Sequence, residues 1–122
     1  MLNILILIVL ICLDQVTKFY LTTTTNTGAA FSLFQGQRYA LISISVIAIF
    51  FILKYYKEKE YQFPLTLILA GTIGNLIDRI FLGHVRDFID LKFWPVFNIA
   101  DTLITIGILL LAYKMWKEKK CA

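Results

Sequence analysis

FPLTLILAGTIGNLIDRIFL, residues 63–82, is a twenty-residue apolar run interrupted only near its end by Asn75, Asp78 and Arg79. At 1.5 Å rise per residue such a run reaches about 30 Å, the thickness of the hydrocarbon layer of a bilayer. The three polar residues stand at i, i+3 and i+4, so on a helix they share one face. A helix that is apolar on most sides, with one short polar stripe, belongs in a membrane beside partners that meet the stripe.

Partners are present on both sides. Leu2–Leu21, Tyr39–Lys54 and Val96–Trp116 are three further apolar runs of spanning or near-spanning length, joined by the links Thr22–Arg38, Tyr55–Gln62 and Gly83–Pro95. The composition agrees: of 122 residues 59% are hydrophobic and 16% charged, against about 45–50% and about 25% in soluble domains. The expected fold is all-α, a four-helix integral membrane bundle forming one domain over residues 1–122. Threonines Thr22–Thr25 favour a short extended external segment. Met1-Leu2-Asn3 carries no basic segment and no small-x-small pattern precedes Asp14, so the first span is expected to remain as its own insertion signal.

The net charge of +4 does not mark a nucleic-acid binder, because the cations are scattered or flank spans. Lys54, Lys57, Lys59, Lys114, Lys117, Lys119 and Lys120 gather at one end, with Lys18, Arg38, Arg86 and Lys92 at the other. The positive-inside rule then puts both termini in the cytoplasm and the first and third links outside. Tyr and Trp near the span ends fit interfacial belts. Cys12 and Cys121 form no C-x-x-C pair, and His84 is the only histidine, so no metal site is expected.

With that topology the intramembrane polar residues share one depth. Asp14 and Lys18 sit late in the first span, Asn75, Asp78 and Arg79 late in the third, Asn98 and Asp101 early in the fourth. Charges near the bilayer centre cost at least about 2.5–3.5 kcal/mol each, so they face the bundle interior and pair. Asp14–Lys18 and Asp78–Arg79 read as ion pairs that lock helices, Asn75 and Asn98 as scaffolding hydrogen-bond formers. Asp87 and Asp101 differ. They lie 14 residues apart across a link that turns at the membrane surface, and neither has a dedicated cation. Two such carboxylates brought together cannot both ionise comfortably, the signature of an aspartic-protease dyad. On spacing alone the structural and catalytic readings both stand. A Ser32–Lys18 nucleophilic pair is a weaker constellation. Gly28 reads as a turn residue tolerating positive φ, and Gly71 and Gly74 as close helix-packing positions. His84 reads as an interfacial polar residue.

Five blocks taken in order, Asp14-Gln15-Val16-Thr17-Lys18, Asn26-Thr27-Gly28-Ala29-Ala30-Phe31-Ser32, Gly74-Asn75-Leu76-Ile77-Asp78-Arg79, Val85-Arg86-Asp87-Phe88 and Phe97-Asn98-Ile99-Ala100-Asp101-Thr102, resemble the successive signature blocks of the bacterial lipoprotein signal peptidases (signal peptidase II). The resemblance implies a membrane aspartic endopeptidase, free of metal and cofactor, that cuts prolipoprotein signal peptides just before a diacylglyceryl-modified cysteine. It implies Asp87 and Asp101 as the dyad. Asn26, Gly28, Asn75, Arg79, Asn98 and Ala100 would line the site, bind the substrate backbone or hold the aspartates, and Asp14, Lys18 and Asp78 would form a supporting polar framework. The expected setting is the cytoplasmic (inner) membrane of a prokaryote, with the site near the outer face, membrane lipids and prolipoproteins as partners, and a monomeric state.

The chain departs from the family in one respect. Members usually carry a longer external segment before the Asn-Thr-Gly block, which builds a small β-sheet platform. Here only Phe19–Thr25 separates Lys18 from Asn26, so a much reduced platform is expected. The alternative functions are a small ion or proton carrier or channel subunit, or an inactive lipopeptide-binding relative. A through-path for ions would spread polar residues across the full membrane depth, whereas the cytoplasmic halves of spans one, three and four are nearly free of them.

Overall fold

The first span forms helix α1, Leu2–Leu21. Its apolar side chains Ile4, Leu5, Ile8, Val9 and Val16 point outward and are exposed, while Asp14 and Lys18 are fully buried. That inversion of the soluble pattern is what hydrocarbon selects, since apolar surface costs nothing there and polar groups must find one another inside. The computed structural model describes residues 2–29 and 33–121. After α1 come a strand β1 (Thr24–Asn26), helix α2 (Arg38–Tyr55), a single 3-10 turn (Lys59–Tyr61), helix α3 (Gln62–Phe81), strand β2 (Val85–Asp87) and helix α4 (Ile99–Cys121). All four helices are long and apolar enough to cross a membrane.

Helix α3 is the hub, packing against α1, α2 and α4, whereas α2 packs chiefly against α3. Pro64 sits in the first turn of α3, where its missing N–H would have had no intrahelical partner. Glycines let α3 and α4 approach closely. A Cβ on Gly107 would lie 2.6 Å from Ile68 Cγ1, and one on Gly71 would collide with the Ala100 carbonyl. Two small apolar clusters fill the bundle away from its polar end, one of Ile52, Leu65 and Leu69, the other of Leu67, Ala70 and Leu103. At that apolar end Asn3 Nδ2 donates to Gln62 Oε1 (2.9 Å), Lys114 Nζ donates to the Glu60 carbonyl (2.8 Å), and Tyr61 bonds Glu118. The start of α1, the α2–α3 link and the end of α4 therefore lie together.

At the opposite end β1 and β2 pair antiparallel, with Thr24 facing Asp87, Thr25 facing Arg86 and Asn26 facing Val85. Among the described residues this two-stranded ribbon, one strand from the first link and one from the third, is what stands as a platform. A bridge between Ile89 and Phe97 then closes the loop that follows β2. Asp90 shapes its tip, accepting from Lys92 N (2.9 Å), and Lys92 takes a left-handed φ of 72°.

The sequence expectation needs one change of boundary. The fourth span begins at Ile99 rather than Val96 and runs on to Cys121. Phe97 is drawn into extended pairing by the Ile89 bridge, which leaves Asn98 to start the helix. At the far end the lysines of the last turns are favoured by the negative end of the helix dipole.

Candidate active site

The start of α4 is where the polar residues converge. Asn98 accepts from the Asp101 backbone N–H through Oδ1 (2.8 Å), and Asp101 Oδ2 accepts from the Asn98 N–H (3.3 Å). This is a reciprocal capping box in which each side chain serves the other's backbone. The next orphan donor of the first turn, Ala100 N–H, is taken by Asp14 Oδ1 of α1 (2.9 Å). Asp101 therefore owes its position to the capping of its own helix. Asn98, expected inside the span, lies one residue before it as the cap.

Asp87 reaches the same place from β2. Pairing with β1 and the Ile89–Phe97 bridge bring its carboxylate to Asn98, whose Nδ2 donates to Asp87 Oδ1 at 2.9 Å. Asn98 thus touches both aspartates. Asn75 of α3 completes the set, with Nδ2 donating to Asp101 Oδ1 (2.9 Å) and Oδ1 accepting from Asn98 Nδ2 (3.1 Å). Asp87, Asp101, Asn75 and Asn98 are each at most 3% exposed. Burial, and then the neighbouring Asp101 carboxylate, push the Asp87 carboxyl up to about 7, against the opposing pull of the Asn98 hydrogen bond and the Lys18 charge.

Beneath this pair lies a buried ionic layer. Lys18 Nζ meets Asp14 Oδ2 at 2.8 Å and Asp78 Oδ2 at 3.3 Å, and donates to Asn75 Oδ1 at 3.1 Å. Because the ammonium can only donate, it fixes which end of the Asn75 amide is oxygen and turns the NH2 toward Asp101. Asp78 does not pair with Arg79 as its sequence neighbour suggested. It pairs with Arg86, whose Nη2 lies 3.0 Å from Asp78 Oδ1. Adjacent helical residues point apart, and Arg86 returns over the end of α3 from β2.

Asn26 and Gly28 shape the rim. Asn26 Oδ1 accepts from Gly28 N–H (2.8 Å) and from Gln35 Nε2 (2.8 Å), while its Nδ2 donates to the Ala29 carbonyl (2.8 Å). Gly28 is not one of the positive-φ glycines, which are Gly36 and Gly83. It is needed because a Cβ there would strike the Leu33 carbonyl. Gly74 does pack closely, against the Asp14 carboxylate. His84 is half-buried beside β2. Ser32 lies outside the described residues, and the amine with which it was paired is already held by Asp14, Asp78 and Asn75.

Two residues with clear roles had no role assigned from sequence. Gln15 donates to the Gly74 carbonyl (3.1 Å) and accepts from Arg86 Nη2 (2.9 Å), joining α1, α3 and β2. Its place beside Asp14 in the first block was the available signal. Arg38 Nε donates to the Arg79 carbonyl (2.8 Å) and its Nη2 to the Ile80 carbonyl (2.8 Å), capping the end of α3. Nothing in the sequence marks it.

Beside Asp101 opens a cavity of about 280 Å³ lined by Phe93, Trp94, Phe97, Thr105 and Ile106 among others. Two buried carboxylates, Asp101 lining an apolar cavity and Asp87 held beside Asn98 with its carboxyl raised to about 7, can polarise a carbonyl and activate a water.

Comparison with known proteins agrees with the fold and gives the family. A solved bacterial membrane enzyme superposes with a TM-score of 0.87 at 29% identity, covering 96% of this chain and 88% of the other. The lipoprotein signal peptidase of Halothermothrix orenii is 44% identical over 106 residues, 84% of this chain and 73% of that protein. That of Thermodesulfovibrio yellowstonii is 36% identical over 133 aligned positions, 89% of this chain and 90% of the relative. The profile of the family described as Signal peptidase (SPase) II matches residues 13–117, all five polar blocks included, and the chain belongs to that family.

Proposed function

We propose that this chain is an aspartic endopeptidase of the membrane that removes signal peptides from prolipoproteins, cutting before the diacylglyceryl-modified cysteine. The observation that carries the reading is the gathering of two buried carboxylates around Asn98, whose Nδ2 donates to Asp87 Oδ1 and whose backbone N–H donates to Asp101 Oδ2. Asp87 holds the proton at neutrality and donates it toward the scissile carbonyl oxygen. Asp101, fixed by Asn75 and the Asn98 backbone, takes a proton from the attacking water as its oxygen bonds to the carbonyl carbon. Collapse of the tetrahedral intermediate breaks the C–N bond, with the proton on Asp101 passing to the departing amine and a hydroxyl proton of the intermediate returning to Asp87 as the C=O bond re-forms. Asn75 and Asn98 hold the dyad, Arg79 and Gly28 serve the substrate side, and Asp14, Lys18, Asp78 and Ala100 N–H brace the start of α4. The lysine-rich end faces the cytoplasm of a prokaryote and the dyad the outer leaflet, where a lipidated substrate lies. The enzyme works as a monomer.

The test is a gel-shift assay on a diacylglyceryl-modified prolipoprotein with wild type and Asp101→Asn. Cleavage by wild type alone is expected. No cleavage by a folded wild type would overturn the reading in favour of a relative that only binds lipopeptides.

A further inference from the structure

Arg79 stands apart from the other cations of the site. It is 7% exposed, and among the described residues no carboxylate lies within ion-pair distance of it. Its Nη2 donates to the Gly28 carbonyl at 3.1 Å, while its Nε–H is buried with no hydrogen-bond partner among the described residues. A buried, unpaired N–H on a guanidinium carries the full cost of its lost hydration. Such a donor persists where an acceptor arrives from outside.

The place for that acceptor is a cavity of about 190 Å³ between α2, α3 and α4. Arg79, Thr72 and Asn75 of α3 line one wall, with Leu41 and Ile44 of α2 and Ile104 of α4 facing them. The Ser45 hydroxyl lies on the α2 wall, where it donates to the Leu41 carbonyl (2.9 Å) and keeps its oxygen available as an acceptor. Asp101 lines a different cavity, with Phe93, Trp94 and Phe97. Arg79 therefore lines a cavity whose walls include neither Asp87 nor Asp101, which favours a remote part of the substrate over the reacting carbonyl. Asp101, Asp78 and Asp87 already surround Arg79 electrostatically, so an anion would be repelled and a neutral acceptor suits the site. Walls of Leu, Ile and Ala call for hydrocarbon around that acceptor.

We infer that the α2–α3–α4 cavity is the subsite for the glyceryl ester of the lipidated cysteine, with Arg79 Nε–H donating to an acyl ester carbonyl and the attached chain leaving along α2. This rests on the endopeptidase reading and adds to it a residue that selects the lipid linkage.

The experiment compares two synthetic peptides of identical sequence, one carrying a diacylglyceryl thioether on the cysteine and the other the dialkyl ether analogue, which keeps the chains and lacks the ester carbonyls. Hydrogen bonds to charged groups are worth about 1.5–3 kcal/mol, so wild type is expected to show kcat/KM about 10- to 100-fold higher for the ester. Arg79→Met should bring that ratio to about 1. The wild-type comparison needs no mutation, so it stands even where the variant folds poorly. Equal cleavage of both peptides by wild type overturns the inference alone. So does an Arg79→Met enzyme that is slower on both peptides but keeps the preference, because Arg79 would then serve the chemistry. Failure of wild type to cleave either peptide overturns the endopeptidase reading and this one with it.

Discussion

Helices α2 and α3 have nearly the same length, 18 and 20 residues, and opposite positions in the molecule. Of an 18-residue window in each, 61% is buried in the third span and 11% in the second, although the second is the more apolar. In water the more apolar helix would be the central one. In a membrane lipid satisfies apolar surface as well as protein does, so the helix with polar groups and small residues takes the centre. Helix α3 supplies Asn75, Asp78 and Arg79 to the site and Gly71 and Gly74 to its seams. Helix α2 supplies chiefly a wall and a cap.

The contrast makes ordered predictions. The largest effect is expected where the centre meets the chemistry: Asp101→Asn should lower the cleavage rate by at least about 10³-fold, with the protein still folded and membrane-inserted by size-exclusion chromatography and circular dichroism. Next, Lys18→Ala leaves buried carboxylates uncompensated and should destabilise the bundle by about 3–5 kcal/mol, read by unfolding in detergent; replacing Asp14 by Asn in the same chain should restore part of it. A stable but inactive Lys18→Ala would contradict the bracing role.

A smaller effect concerns pH. Asp87 is raised from the usual 3.8 to about 7, so the folded state holds its proton more tightly than the unfolded chain does. The stability it contributes is present at acid pH and is lost as pH rises from about 4 to about 7. Activity that needs the protonated Asp87 should fall as pH rises through about 7, read from the pH profile of kcat. A flat profile from pH 6 to 8 would remove Asp87 as the proton holder. Last, Leu69→Ala in the α3 core should cost about 2–4 kcal/mol, whereas Phe50→Leu on the exposed face of α2, where Phe50 is 66% exposed, should stay within about 0.5 kcal/mol. Equal effects at the two positions would erase the distinction between hub and wall.

What the sequence disclosed follows the same physics. The first three helices were legible to within a residue because apolar runs end where charges begin. The depth shared by Asp14, Lys18, Asn75, Asp78 and Asp101 was legible because a bilayer forces such groups together. Partner choice was legible for Asp14 and Lys18, which pair as their spacing predicts, but not for Asp78. Asp78 takes Arg86 rather than Arg79, since proximity in the chain says little once β2 folds back. The start of α4 was missed because Val96 and Phe97 continue the apolar pattern, while a backbone bridge to Ile89 decides their conformation. The role of Gly28 was misread because the clash it avoids is with Leu33, a contact no local pattern reveals.

The bond from Ala100 N–H to Asp14 spans 86 residues of chain, and it bears on when the protein becomes active as well as where. A nascent chain enters the membrane from its N-terminus, so α1 waits for most of synthesis with Asp14 unmatched to its final partner. Only when the fourth helix arrives can its first turn be capped, Asp101 be aimed and Asn98 bridge to Asp87. The candidate site is therefore the last part of the bundle to assemble. A chain with three helices inserted has α1 and α3 in place but not the Asn98 cap or the Asp101 carboxylate that α4 brings.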